Sequence, residues 1–398
     1  MLECHQSTVR PRSKVKDAME ATKLRGHKRS VLCCESSRTN PHLIASSSED
    51  GSVRIFDLRC KESASAIDLG SEPVASVCFK PGNDDILYAA SGNSVNCLDL
   101  RMAASNQQLQ KYTFNTEDIN QITLNSKSCY LLAADDSGEI KVIDIHQHCV
   151  YKTLRAVHTN ICSCVQFHPR KPWEVISGGL DSKILTWDFS RGRVRKMIDL
   201  GAAVSSNADS DTSTNQICNP PFVHALAVPE GFLQRGDNQV VAVARGDGAI
   251  EIIDLEYETH MGVSKNKKSQ HASKGSQGKL AKNVNAKESN TTEETEKQMR
   301  IKLHVGLGGH TAAASCVAFS KFGEAGKLII SGSNDASIKV WNWTSKIETI
   351  ETCSRDEGPL SYTISNKRKV NWLCTTSHSS ENLIVCDTSR VIKAYSIL

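Results

Sequence analysis

The chain has 398 residues, 39% of them hydrophobic, and a net charge of +4 at pH 7. That apolar fraction supplies a substantial core and excludes disorder throughout, while no apolar run reaches the roughly 18 residues a membrane-spanning helix needs. So small a charge on so long a chain, with 5% aromatics and no basic–aromatic interleaving, gives no footing to nucleic-acid binding.

From the N-terminus, MLECHQSTVRPRSK lacks the apolar core of a secretory signal, so nuclear or cytoplasmic residence is expected. Residues 1–18 are polar and read as a flexible tail. From residue 19 onward one pattern keeps returning. SSSEDGSVRIFD (46–57) reappears as AADDSGEIKVID (133–144), SGGLDSKILTWD (177–188), VARGDGAIEIID (243–254) and SGSNDASIKVWN (331–342), with a shorter AASGNSVNCLD ending at Asp99. Each copy is an apolar strand, a Gly/Asp turn and a second strand alternating with period two. The terminal positions 57, 99, 144 and 188 fall 42, 45 and 44 residues apart, the length of one four-stranded blade.

Two later intervals are longer. The one from 188 to 254 holds the polar stretch SSNADSDTSTNQ (205–216). The one from 254 to 342 holds residues 257–300, rich in Lys, Ser, Asn and Gln and almost free of large apolar side chains. Such a segment cannot offset the entropy of ordering, so 257–300 is expected to be a disordered insertion, leaving from the same rim as the turn that follows Asp57. A seventh copy is degenerate: KVNWLCTT (369–376), NLIVCD (382–387) and VIKAYSI (391–397) give only three strands.

These repeats, with the His-bearing turns Arg25-Gly26-His27, Ala156-Val157-His158 and Gly309-His310, resemble the WD-repeat (WD40) family over nearly all of residues 20–398. The resemblance implies an all-β, seven-bladed β-propeller spanning 19–398. One small sheet cannot bury both faces alone, so blades pack face to face and close a ring. With three strands in the last repeat, the segment near Met19–Leu24 is expected to supply the fourth and latch the ring.

Fifteen cysteines might suggest a disulfide scaffold, but the count is odd and no paired CxxC motifs appear at zinc spacing. Cys33, Cys34, Cys78, Cys162, Cys164, Cys316 and Cys374 lie in apolar strand-like runs, where reduced cysteine acts as a small buried hydrophobe. No metal or other cofactor is expected.

His158, Ser177, Asp181 and Trp187 occupy the four positions of the family's buried hydrogen-bond network. His310, Ser331, Asp335 and Trp341 repeat them, and His27, Ser46 and Asp50 do so with Phe56 in place of the Trp. A Ser/His/Asp set invites a hydrolase reading. Its recurrence, with Asp always four residues after Ser, is what a structural network requires and a single active site does not. Blades without the set are expected to be less rigid. With no phosphate-cradling loop or nucleophile elbow, no enzyme is expected.

Two blades end in Asp57-Leu58-Arg59 and Asp99-Leu100-Arg101. In the WD-repeat family this ending resembles the signature of substrate receptors of cullin-4 ubiquitin ligases, in which the Arg contacts the damaged-DNA-binding adaptor subunit. Later blades depart from it, as in Asp144-Ile145-His146 and Asp188-Phe189-Ser190. The competing reading is two solvated arginines paired with Asp57 and Asp99. The stretches EDINQITLN (117–125), DDSGEIKVID (135–144), HTNICSCVQFHP (158–169) and KVNWL (369–373) also resemble one particular family member, itself a proposed receptor of that ligase. The expected partners are the ligase adaptor and an undefined target protein, held by a chain that is monomeric by itself. The rival reading is a peptide or chromatin reader or assembly scaffold unrelated to ubiquitination.

Overall fold

In the computed structural model, the alternating runs are strands and the Gly/Asp segments reverse them. The structure describes residues 20–102, 108–155, 157–202, 219–229, 240–255, 300–344 and 358–397. The expected tail (1–18), Met19 and residues 257–299 of the insertion lie outside these. Arg300, which the sequence placed in the insertion, instead opens a strand.

The first strand, β1 (Thr22–Arg25), stands apart from the strands that follow it. Blade 1 comprises β2 (Val31–Ser36), β3 (Leu43–Ser48), β4 (Ser52–Asp57) and β5 (Glu62–Asp68). Blade 2 comprises β6 (Val74–Lys80), β7 (Asn83–Ser91), β8 (Ser94–Asp99) and β9 (Gln108–Tyr112). Blade 3 comprises β10 (Ile119–Leu124), β11 (Tyr130–Asp135), β12 (Ile140–Asp144) and β13 (Cys149–Leu154). Blade 4 comprises β14 (Cys162–Phe167), β15 (Glu174–Gly179), β16 (Lys183–Asp188) and β17 (Arg193–Asp199). Blade 5 comprises β18 (Val223–Ala227), β19 (Val240–Arg245), β20 (Ile250–Asp254) and β21 (Arg300–Leu303). Blade 6 comprises β22 (Ala314–Phe319), β23 (Leu328–Ser333), β24 (Ser337–Asn342) and β25 (Leu360–Ser365).

Blade 7 has β26 (Val370–Thr375), β27 (Leu383–Asp387) and β28 (Val391–Tyr395), and its fourth strand is β1. The pairing is antiparallel, Thr22 opposite Ala394 and Arg25 opposite Val391. The ring is therefore closed by the N-terminal strand, as the three-strand last repeat implied.

Burial follows from position in the blade. Middle strands pack on both faces and are largely buried, as in β19 (VVAVAR), where all six residues including Arg245 are covered, whereas outermost strands such as β5 and β17 alternate exposed and covered residues. One apolar cluster fills each seam between neighbouring blades. The cluster between blades 7 and 1, for example, joins Leu24, Ile384 and Ile392 to Val31, Ile44 and Phe56. Gly51 shows how tightly the turns are packed. Its φ is 77°, and an added Cβ would lie 1.9 Å from the Gly70 carbonyl oxygen.

All seven innermost strands carry a β-bulge at their second residue. A bulge re-aims the side chain it carries, and in four blades that side chain reaches the next blade. Ser163 Oγ donates to the Val223 carbonyl at 2.5 Å, Ser315 Oγ to Val370 at 2.6 Å, Asn371 Nδ2 to Val31 at 2.9 Å and Asn120 Nδ2 to Cys162 at 3.3 Å. These bonds tie the ring together on its inside, where strands of different blades share no backbone ladder.

Cysteines of the described residues are free, and most are buried in the strands. Burial pushes the thiols of Cys33, Cys164 and Cys316 up to about 12. Because the thiolate is the reactive form, maleimide should label the exposed Cys60 and Cys149 of the native protein and reach Cys33, Cys164 and Cys316 only after unfolding. Peptide mapping by mass spectrometry checks this; fast native labelling of Cys164 would contradict the packing.

Candidate partner-binding faces

The ring has two faces. On one, the chain passes from each blade to the next and the second strand turns into the third. On the other lie the turns between first and second strands and between third and fourth. Backbone bonds join the two kinds of turn on this second face: Leu58 N–H to the His42 carbonyl, Leu100 to Asp85, Ile145 to Cys129 and Phe189 to Trp173. We call it the turn face.

The His/Ser/Asp sets sit at the first face. His158 Nε2 meets Ser177 Oγ at 2.8 Å, its Nδ1 lies 3.1 Å from the Asp181 carboxylate, and Trp187 Nε1 donates to the same Ser177 Oγ at 2.8 Å. Blade 6 repeats this: His310 Nε2 to Ser331 Oγ 2.8 Å, Nδ1 to Asp335 3.2 Å, and Trp341 Nε1 to Ser331 Oγ 2.9 Å. Blade 1 has His27 with Ser46 at 2.8 Å and Asp50 at 3.4 Å, while Phe56, which has no donor, packs in the seam.

With each imidazole's Nδ1–H facing a carboxylate, its Nε2 accepts the serine proton. In blades 4 and 6 the serine oxygen in turn accepts from the indole. Ser46, Ser177 and Ser331 are fully buried, so no acyl group reaches them. Burial holds His27 down to about 4 and lowers His310. Burial alone would raise Asp50, but the Ser52 hydroxyl and the Lys28 and Ser52 N–H groups hold it at about 2. These are satisfied structural networks that fasten the inter-blade passage to the neighbouring turn.

Three blades without the set carry other buried polar contacts at the same end of the sheet. In blade 3, Asn115 Nδ2 donates to the buried Asp135 at 2.8 Å. In blade 7, Asp387, fully buried, takes Asn366 Nδ2 at 3.0 Å and Lys393 Nζ at 2.7 Å. In blade 5, the buried Arg245 bridges Asp247 and Glu251, and Arg300 holds the other oxygen of Glu251.

Arg59 and Arg101 lie on the turn face of adjacent blades, both exposed, at 63% and 64% of the side chain. Each is folded onto its own aspartate. Arg59 Nε and Nη2 donate to Asp57 at 3.0 and 2.6 Å, and Arg101 Nε and Nη2 donate to Asp99 at 3.0 and 2.8 Å. Asp57 and Asp99 also accept the N–H of residue 59 and residue 101, closing a tight turn with Leu58 buried beneath it. The guanidiniums hold both carboxyls at about 2. Arg101 is also 3.6 Å from Asp85. The structure thus contains the Asp–Arg pairing of the competing reading while leaving both arginines presented outward in a fixed pose. A bond from Thr39 Oγ1 to Asp84 links the turns of these two blades on the same face.

Sequence reading missed two features of this face. In blade 4, Arg195 from the outer strand reaches both Asp188 and Glu174, at 3.2 and 2.9 Å. Beside it Tyr130, Tyr151, Trp173 and Phe189 form an aromatic group, with Trp173 47% and Tyr151 38% exposed. Among the described residues no group of three or more His, Cys, Asp or Glu is placed to hold a metal, and no helix is long and apolar enough to cross a membrane.

Comparison with known proteins agrees with this architecture. The family WD domain, G-beta repeat matches residues 19–57, 149–188 and 301–342. Each match runs from the last strand of one blade through the third strand of the next, and the three contain His27, His158 and His310. The chain is 36% identical over 246 residues to the WD repeat-containing protein 53 homolog of Dictyostelium discoideum, covering 59% of this chain and 64% of the relative, less than two thirds of its length. It is 28% identical over 180 residues to THO complex subunit 3 of Arabidopsis thaliana, covering 45% and 53%. The crystal structure of the WD40 β-propeller domain of Doa1 superposes with a TM-score of 0.64 at 15% identity, over 94% of this chain and 95% of that one, a likeness of fold alone. The chain is a seven-bladed β-propeller that carries WD40 repeats at residues 19–57, 149–188 and 301–342.

Proposed function

We propose that this propeller is a substrate receptor of a cullin-4 ubiquitin ligase, docking on the ligase adaptor through the turn face and holding a target protein elsewhere on the ring. WD40 propellers typically bind protein partners, and an interaction scaffold is the coarse role the fold suggests. The finer reading is carried by one observation: consecutive blades present Asp57–Arg59 and Asp99–Arg101 in the same carboxylate-braced, outward pose. The planar, permanently charged arginine fork suits carboxylates and carbonyls of a partner. Catalysis then belongs to the ligase, and the propeller contributes position and effective concentration, in the nucleus, the cytoplasm or both.

Co-precipitation from cells tests this. Arg59→Ala/Arg101→Ala should recover roughly a tenth or less of the adaptor that wild type does, the effect of losing about 1.4 kcal/mol of binding, with the melting temperature unchanged. Equal recovery would remove the ligase reading and leave a scaffold or reader of another kind.

A further inference from the structure

On the turn face the central channel opens into a cavity of about 800 Å³ lined by the first strands of all seven blades. Its apolar lining includes Val77, Leu226, Phe319, Leu373 and Trp372. Trp372 packs against the clusters of four seams, so its indole sits where the inner strands converge. Four cationic side chains share the lining: Arg38, Lys127, Arg170 and Lys321, from blades 1, 3, 4 and 6, against a single carboxylate, Glu35.

The wall also holds a buried donor without a partner. His168 is 4% exposed, and its Nδ1 accepts the N–H groups of Arg170 and Lys171 at 3.3 and 3.2 Å. The proton therefore sits on Nε2, which has no hydrogen-bond partner among the described residues. Burial, with Lys171 and Arg170 nearby, holds this histidine down to about 4, so at neutral pH it is an uncharged donor.

We infer that this cavity receives an extended acidic peptide segment, an apolar side chain against the Trp372 floor and its carboxylates toward the basic rim. The cations stand on four separate blades around an apolar floor, so they match charges spaced along a chain better than one compact polyanion. A nucleic-acid strand would need successive aromatic planes for its bases, whereas Phe167, Phe319 and Trp372 are the aromatic residues of the lining. A volume of this order suits a few side chains. The inference does not depend on adaptor docking, because Arg59 and Arg101 are not among the lining residues.

Fluorescence anisotropy on the full chain at low salt tests it, with a fluorescein-labelled (Glu-Glu-Leu)4 peptide as probe. Wild type should bind saturably, Arg170→Glu/Lys321→Glu should bind at least about tenfold more weakly, and Arg59→Ala/Arg101→Ala should bind like wild type. Arg38→Glu/Lys127→Glu, which reverses the other two cations of the lining, should weaken binding to a similar degree; it also serves should the first double charge reversal fail to fold. Absence of saturation below roughly 1 mM, equal binding of a (Lys-Lys-Leu)4 peptide, or equally tight binding of a labelled oligothymidylate would overturn the assignment. Adaptor recovery reads out Arg59 and Arg101 separately, so the two ideas can fail independently.

Discussion

Removing residues 1–25 should lower the melting temperature by more than about 10 °C, whereas removing residues 1–19 should leave it within about 2 °C. The difference is β1. Its four residues pair along β28, and Leu24, fully buried, packs with Ile384, Ile392 and Phe56 in the seam that closes the ring. Thr22 Oγ1 adds a 2.5 Å bond to Glu381. Without β1, the outer edge of β28 is left unpaired, with Ile392 and Ala394 uncovered. Such an edge invites association with other chains, so aggregation on heating should accompany the drop. Leu24→Ala isolates the packing contribution and should cost about 2–5 kcal/mol. Equal melting of the two truncated proteins would show that the ring does not depend on this strand.

Stability should also fall steadily as pH is lowered from 7 toward 4, beginning well above the range in which carboxylates with an ordinary pKa are protonated. His27 and His168 are buried and neutral, each held down from 6.5 to about 4, and His224 and His310 are lowered in the same direction. Between those values the unfolded chain binds protons that the native protein refuses, so each histidine's contribution is complete above 6.5 and is lost on the way down. At 1.36 kcal/mol per pH unit the loss approaches about 3 kcal/mol for each of the first two by pH 4. Below the ordinary carboxylate pKa, the depressed Asp50, Asp181, Asp335 and Asp387 add a second loss of the same sign, since their stabilisation is present above that pKa and disappears as they are protonated. Melting curves across this range, with His27→Asn and His168→Asn alongside, provide the check. Each variant should flatten the slope between pH 6.5 and 4 whatever its own melting temperature, and a wild-type profile flat to pH 5 would contradict it.

What could be read in advance was what repeats. Gly/Asp turns between strands of period two recur at blade length, so six blades were countable, and the degenerate seventh was legible from the apolar runs at 369–397. The missing strand followed from the need to close an edge. Spacing also marked His27–Ser46–Asp50 and its two counterparts, because one geometry recurs with the same residue types. Substitutes such as Asn115–Asp135 and Asn366–Asp387 were not legible, since each solves the same problem once with different chemistry. The bulge residues Asn120, Ser163, Ser315 and Asn371 were hidden for another reason. A serine or asparagine in a strand looks like any solvent-facing residue until the bulge turns it toward the next blade. The basic rim of the cavity was likewise invisible, being single Lys or Arg residues more than 40 positions apart that only the ring brings together.

The pairing of β1 with β28 fixes how the molecule bears load. Thr22 lies opposite Ala394, so the chain enters and leaves the ring side by side at one end of an antiparallel pair. A pull on both ends is directed across the ladder, and the hydrogen bonds meet it one after another, as in a zipper, instead of resisting together in shear. Tension between the segments that leave β1 and β28 would therefore open the ring first at blade 7, the blade whose sheet these two strands complete together.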